Sequence, residues 1–190
     1  MAALDSLTGG VKFGRFEEQE DLGKAINRFI KCDLNDVIFL CIGTDRSTGD
    51  SFGPLIGSLL KERGYRNVIG CIDDPVHAVN LDERITEIPS GKTIVAIDAC
   101  LGRLKNVGTI SLNNGSLSPG AGVNKELTKV GDFNIQGVVN VSGDMAFFIL
   151  QNTRLSTVMK MAKQTTTAIQ NAFPLISETS NNLFEMRAVK

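Results

Sequence analysis

The sequence predicts a single three-layer α/β/α domain with a mainly parallel central sheet, of the phosphorylase/hydrolase-like kind. Apolar runs of strand length alternate with stretches of helical periodicity. Two runs, 36–42 (DVIFLCI) and 92–100 (KTIVAIDAC), are almost continuously apolar, which is typical of parallel strands buried on both faces. No repeat or low-complexity linker divides the 190 residues, so one domain is the simplest interpretation.

Helices are predicted where apolar residues recur every three or four positions, as at Leu22, Ile26 and Ile30, and strands where a short apolar run ends in a turn residue. The predicted order is helix 17–30, strand 36–42, a helix around 55–60, strand 67–72, helix 79–88, strands 92–100, 109–112 and 137–141, and helix 143–173 in one or two segments. The domain is expected to span 17–176, between a loose N-terminal arm at 1–16 and a polar C-terminal tail at 177–190.

The composition argues against several classes of partner. Lys and Arg number 20 and Asp and Glu 21, a formal net charge of −1, so the chain is not built to neutralise many phosphates. It has no Trp and one Tyr, which argues against an aromatic base-stacking platform. No apolar run approaches the roughly 18 residues of a spanning helix, and the first residues do not form a secretory signal. We expect a cytoplasmic protein with neither a nucleic-acid nor a membrane partner.

The first candidate site follows the strand at 36–42. Its sequence, GTDRSTGDSFGP from Gly43 onward, occupies the position of a phosphate-binding loop but spaces its glycines differently and has Asp50 where a phosphate would meet repulsion. Gly43, Thr44 and Asp45 are candidate substrate-binding residues at the carboxyl edge of the sheet. Asp50 fits two roles equally well by position, a helix N-cap and a catalytic acid.

The second candidate is Asp98, which interrupts the apolar run TIVAI. An unpaired buried carboxylate is costly, so such a group is normally paired, protonated or functional. If both strands lie near the centre of the sheet, Asp50 and Asp98 face one cleft. Two adjacent carboxylates share a proton, so one can polarise a carbonyl while the other activates water.

Pro119, Gly120, Gly122 and Asn140 are further candidate substrate-binding residues, and His77 is a weaker candidate outside the predicted site. The loop SPGAGV contains Pro119, Gly120 and Gly122, and its backbone N–H groups could bind an oxyanion or form an ordinary turn. Asn140 ends the strand GVVNV and could line the same cleft or cap the next helix. His77 is the sole histidine, and it could be a metal ligand or a structural turn residue.

Several ordered motifs from about 38 to 156 resemble the YyaC-type sporulation proteins of endospore-forming Firmicutes. They are IGTDRSTGDSFGPLIG, DDPVHAVNL, AIDACLG, PGAGV, GVVNVSG and FFILQNTRLS. That family looks related to the spore germination protease and, more widely, to the hydrogenase maturation proteases. The resemblance places the germination protease's two catalytic aspartates at Asp50 and Asp98, and its Pro-Gly loop at Pro119, Gly120, Gly122 and Val123.

The resemblance implies an aspartate-dyad endopeptidase in the cytoplasm of the sporulating cell or forespore, without cofactor or metal. Its substrate would be a peptide or protein, with small spore proteins as candidates. Two alternatives stay open: a carboxylate-metal maturation-type peptidase, disfavoured because no histidine follows Asp98, and a non-enzymatic sporulation factor that binds a partner peptide. Homo-oligomers are common among such folds, so a homo-oligomer is a candidate state, although no residue indicates the contact face.

Overall fold

A computed structural model describes residues 12–119 and 128–175. Within these residues, alternating strands and helices form one sheet with helices packed against it. The strands are β1 (Lys12–Phe16), β2 (Val37–Cys41), β3 (Val68–Ile69), β4 (Thr93–Gly102), β5 (Ile110–Asn114) and β6 (Phe133–Val141). The helices are α1 (Gln19–Phe29), α2 (Phe52–Glu62), α3 (Leu81–Thr86), α4 (Ala146–Gln151) and α5 (Leu155–Ala172).

The six strands lie in the order β1-β5-β6-β4-β2-β3. The pairs β6/β4, β4/β2 and β2/β3 are parallel, and β5 runs antiparallel to both of its neighbours. The predicted mainly parallel sheet is therefore confirmed. Because β2 and β4 are parallel neighbours at the centre of the sheet, both strands end at the same edge of it.

Side chains alternate between the two faces of the central strands, as they must in a pleated sheet. Phe39 and Ile97 belong to the larger core, which the sheet forms with α1, α2 and α5. Leu40 and Ala96 point to the opposite face, where they pack with Leu81 of α3 in a smaller core. Burial on both faces explains why the sequences of β2 and β4 are continuously apolar.

The end of the expected N-terminal arm is a strand. Lys12–Phe16 pairs with β5, and the ring of Phe13 stacks on that of Phe29 with centroids 3.9 Å apart. The register shifts between Lys12 and Gly14, so the strand carries a bulge. A bulge breaks the period-two alternation that would have indicated a strand in the sequence. The rest of the expected arm, at 1–11, and the expected tail, at 177–190, lie outside the described residues.

The strand β6 begins four residues before the predicted start at Gly137. The prediction started late because this part of the strand contains Asn134, a polar residue that is nevertheless buried. Its side-chain amide donates to the carbonyl of Gly115 at 2.9 Å, and its side-chain oxygen accepts from Asn113 at 2.8 Å. Hydrogen-bonded in this way, a polar side chain can lie inside a sheet. The helix at 143–173 was predicted to form one or two segments, and in the structure it forms two, α4 and α5.

Candidate active site

The site lies where β2 and β4 end. Cys41 pairs with Ile97, and the N–H of Ile42 donates to the carbonyl of Ile97 at 2.7 Å. The parallel register therefore continues by one residue beyond β2 and brings Ile42 alongside Asp98. Val76 forms an isolated parallel bridge with Ile42 from the other side. Three chain segments that are distant in sequence thus meet at one edge.

Gly43 makes the sharp turn after β2. Its φ is +142°, and a Cβ atom there would lie 1.9 Å from the carbonyl oxygen of Asp50. The loop folds back over this glycine, and the N–H of Thr44 donates to that same oxygen at 3.2 Å. Only glycine allows such a close approach between backbones. The approach places Asp50 over the end of β2.

A cavity of about 380 Å³ opens at this point. Both predicted catalytic residues, Asp50 and Asp98, line it. The other lining residues come from the loop after β2, the segment before α3, the end of the described part of the loop after β5, and α4: Ile42, Gly43, Thr44, Arg46, Ser47, His77, Ala78, Val79, Pro119, Phe147, Leu150 and Gln151. The structure therefore brings the two carboxylates into one cavity.

Asp50 is half-buried in a short 3-10 turn, Gly49–Ser51, that precedes α2. The N-cap of α2 is Ser51, so the alternative that Asp50 caps this helix is wrong. Burial raises the pKa of the Asp50 carboxyl, and the nearby Ser47 hydroxyl opposes the rise in part. Because loss of solvent penalises the charged form, Asp50 keeps its proton to a higher pH than an ordinary aspartate.

Asp98 lies within β4 and is only 7% exposed. Its Oδ1 accepts the N–H of Ala99 at 2.8 Å. A hydrogen bond donated to a carboxylate stabilises the ionised form. Its charge also acts on Cys100, whose pKa is raised to about 12, first by burial and then by the negative charge of Asp98. The two acids thus occupy different environments, and Asp98 is the more deeply buried of the two.

The remaining predicted site residues divide into three groups. Gly43, Thr44 and Pro119 line the cavity. Asp45 is exposed in the same loop and does not line it, and Gly120 and Gly122 lie outside the described residues. Asn140 does not line the cavity either.

The side chain of Asn140 connects the sheet to the segment that contains α4. Its amide donates to the carbonyl of Ile149 at 3.3 Å and to Oγ1 of Thr153 at 3.2 Å. Asn140 therefore holds in place the helix that forms one wall of the cavity. The alternative that it caps the next helix is also wrong, because Met145 is the N-cap of α4.

The sequence did not single out the wall contributed by α4, nor Val79. The segment before α3 carried a signal, since His77 ends the motif DDPVH at residues 73–77, shortly after β3. In the structure the Val76 bridge brings His77 to the cavity, and its Nδ1 accepts the N–H of Val79 at 3.3 Å. Phe147 and Leu150 belong to the motif FFILQNTRLS, which contributed to the family resemblance but indicated no place in the site.

A metal centre at this site would need several ligating side chains grouped together. Across residues 12–119 and 128–175, no three side chains of His, Cys, Asp or Glu are grouped so that they could hold one. His77, Asp50 and Asp98 line one cavity without forming such a group. The residues described do not fit a carboxylate-histidine metal centre.

Among residues 12–119 and 128–175, no helix combines the length and the apolar character needed to span a membrane.

The fold is that of a known class of peptidases. A [NiFe] hydrogenase maturation protease, HycI from Thermococcus kodakarensis KOD1, superposes with a TM-score of 0.54 at 15% sequence identity, over 79% of this chain and 99% of that one. At this identity the likeness shows the fold alone.

The chain itself belongs to the family described as "Protein of unknown function (DUF1256)", whose model matches residues 14–168. It is 53% identical over 131 residues to a Bacillus subtilis (strain 168) relative, described as "Uncharacterized protein YyaC". That match covers 66% of this chain and 64% of the relative, so the chain spans less than two thirds of the relative's length. The expected YyaC-type family is confirmed, whereas the link to the spore germination protease stays a prediction.

Proposed function

We propose that this protein is an aspartate-dependent endopeptidase that acts in the cytoplasm of the sporulating cell or forespore. The observation that supports this most directly is that Asp50 and Asp98 line one cavity at the carboxyl edge of the sheet. Their unequal surroundings favour a dyad with one protonated and one ionised member. The maturation-protease fold adds support as an analogy, because a fold alone does not define an activity.

Each acid has a distinct part in the proposed reaction. Asp98, stabilised as a carboxylate by the Ala99 N–H, accepts a proton from water, whose oxygen attacks the carbonyl carbon of the peptide bond. Asp50 donates its proton to the carbonyl oxygen, which carries the developing charge. When the tetrahedral intermediate collapses, Asp50 recovers that proton and Asp98 gives its own to the leaving nitrogen. The C–N bond breaks, and both acids return to their starting states.

Other cavity residues would position the substrate. Gly43, Thr44 and Pro119 line the cavity together with both acids. We propose that these three residues contact the peptide backbone. The substrate class is a polypeptide, with small spore proteins as the first candidates on the strength of the family resemblance.

The proposal is tested by replacing each acid with its amide. Purified wild-type protein, Asp50→Asn, Asp98→Asn and the double variant are incubated with a mixture of small spore proteins, and new termini are counted by mass spectrometry. We expect each single variant to lose at least about a hundredfold in rate, since a positioned acid or base contributes roughly 10²–10⁴. The double variant should be little slower than either single variant, because the two groups act as one unit.

Asp45→Asn is the matched control. It removes a carboxylate from the same loop, but Asp45 is exposed and does not line the cavity. This variant should cleave at the wild-type rate. Wild-type activity in either Asp50→Asn or Asp98→Asn would refute the dyad, and no cleavage by the wild-type protein would favour the peptide-binding alternative.

A further inference from the structure

Two large apolar side chains stand exposed at the cavity that contains the acids. Val79 is 90% exposed and Phe147 is 59% exposed, and both are among the residues that line the cavity. They come from different elements, the segment before α3 and the helix α4. A substrate that reaches Asp50 and Asp98 therefore encounters an apolar side chain from each of these elements.

Both side chains belong to backbone that is held firmly near the acids. The N–H of Gly43 donates to the carbonyl of Val76 at 2.7 Å, and the N–H of His77 donates to Oδ1 of Asn80 at 2.8 Å, so the segment before α3 is anchored to the turn after β2. The helix α4 packs against the turn that carries Asp50, so closely that a Cβ atom on Gly49 would lie 2.8 Å from Cδ2 of Leu150. Exposed apolar groups that line the same cavity as two carboxylates are candidate contacts for a bound ligand.

The chemistry of the cavity indicates what these side chains bind. Its walls include the apolar residues Ile42, Pro119 and Leu150. Its volume of about 380 Å³ is at the lower end of the range for ligand sites. A space of that size, lined by two carboxylates and by several apolar side chains, suits a short stretch of polypeptide with one large apolar side chain.

We propose that Val79 and Phe147 form an apolar clamp that selects a Leu, Met or Phe side chain of the substrate, next to the peptide bond that is cleaved. The cleavage part rests on the proposed function, whereas binding through the clamp can be measured without any reaction. Burying such a side chain removes apolar surface from water on both partners, which supplies affinity and selectivity together.

The test uses binding to a protein that should not cleave. Fluorescent ten-residue peptides of Gly and Ser, each with Leu, Phe, Ser or Asp at one central position, are titrated against the Asp98→Asn variant and followed by fluorescence anisotropy. The Leu and Phe peptides should bind about tenfold more tightly than the Ser and Asp peptides. Adding Val79→Ser or Phe147→Ser should remove most of that difference.

Phe148→Ser is the matched control, because Phe148 is the next residue on α4 and is 55% exposed, yet it does not line the cavity. It should leave the peptide preference unchanged. Val79→Ser should fold like the wild-type protein, because a side chain this exposed contributes little to the core, so a change in its binding can be attributed to the lost contact. Thermal melts should match for all three variants.

The outcomes separate the clamp from the peptidase. Equal affinity for the Leu and Ser peptides, no binding of any peptide, or equal effects of Phe147→Ser and Phe148→Ser would overturn the clamp. A preserved Leu preference, together with no cleavage of the Leu peptide by wild-type protein, would support the clamp and contradict the peptidase. Cleavage by the wild-type protein with no preference among the four peptides would do the opposite.

Discussion

At the scale of single residues, the two acids differ in what surrounds them. Asp50 is half-buried and its pKa is raised by the loss of solvent, whereas Asp98, almost fully buried, accepts a backbone hydrogen bond. The sequence indicated both positions, because Asp98 interrupts an apolar run and Asp50 lies in the loop that follows another. It could not indicate the asymmetry, which depends on the turn that partly buries Asp50 and on the Ala99 N–H.

The raised pKa of Asp50 predicts a pH-dependent gain in stability for Asp50→Asn. The ionised form is disfavoured in the folded protein, so the cost is present at pH values above the folded pKa and disappears below the ordinary value of 3.8, where folded and unfolded chains are both protonated. Asparagine carries no such cost. Urea unfolding at pH 7 should show a gain of at most about 2 kcal/mol, in line with single stabilising substitutions.

At pH 3 the same substitution should give almost no gain in the free energy of unfolding. Asp45→Asn provides the comparison again, because an exposed carboxylate should matter little at either pH. A gain for Asp50→Asn that is larger at pH 3 than at pH 7 would contradict burial as the cause of the shift.

At the scale of elements, the turn after β2 determines the geometry of the site. The carbonyl of Asp50 can approach the end of β2 only because Gly43 has no side chain. Gly91 also has a positive φ, +83°, but a Cβ atom there would meet nothing within 4 Å. Replacing Gly91 therefore measures the cost of backbone strain alone, whereas replacing Gly43 measures that cost together with the steric clash.

Gly91→Ala should cost about 1–2 kcal/mol, the usual penalty of a left-handed backbone for an L-residue. Gly43→Ala should cost more than about 3 kcal/mol, because the new methyl group must displace the loop as well. It should also abolish peptidase activity at temperatures where it is still folded. Denaturant melts and cleavage assays on both variants check this, and similar stability losses would show that the close approach to Asp50 is unimportant.

The elements that the sequence predicted well are those buried on both faces. The strands β2 and β4 were placed to within about two residues, since their apolar runs leave no other interpretation. The prediction missed the short strand β1, which contains a bulge. It also started β6 too late, because Asn134 is a buried polar residue whose hydrogen-bond partners are distant in the sequence. Local pattern fails at such positions because contacts from elsewhere in the chain determine the structure.

At the scale of the whole molecule, the cavity assembles segments that are far apart in the sequence. The rule that ligands bind at the carboxyl ends of parallel strands correctly predicted that Asp50 and Asp98 would meet at one edge. It could not predict His77, whose position depends on one bridge between Val76 and Ile42. Nor could it predict the α4 wall, since an exposed Phe147 is contrary to the usual pattern of a surface helix.

The arrangement of the whole site predicts how activity responds to pH. The proposed reaction needs one acid protonated and the other ionised, so the rate should fall on both sides of an optimum. On the acid side both groups become protonated, and no base remains. On the alkaline side the pair loses its shared proton, and the raised pKa of Asp50 moves that loss above the ordinary range of an aspartate. A rate that keeps rising with pH would contradict the dyad.

The same assay after exhaustive chelation distinguishes the dyad from the metal-peptidase alternative. Carboxylates that held a metal would have to be ionised, so such an enzyme would lose activity only toward acid and would stop when the metal is removed. The dyad needs no ion, and its two-sided pH profile should survive chelation unchanged. His77→Gln is the informative variant, because His77 is the histidine that lines the cavity with both acids. Loss of activity on chelation, rescue by one divalent metal and loss of that rescue in His77→Gln would overturn the dyad in favour of a metal centre built on Asp50, Asp98 and His77.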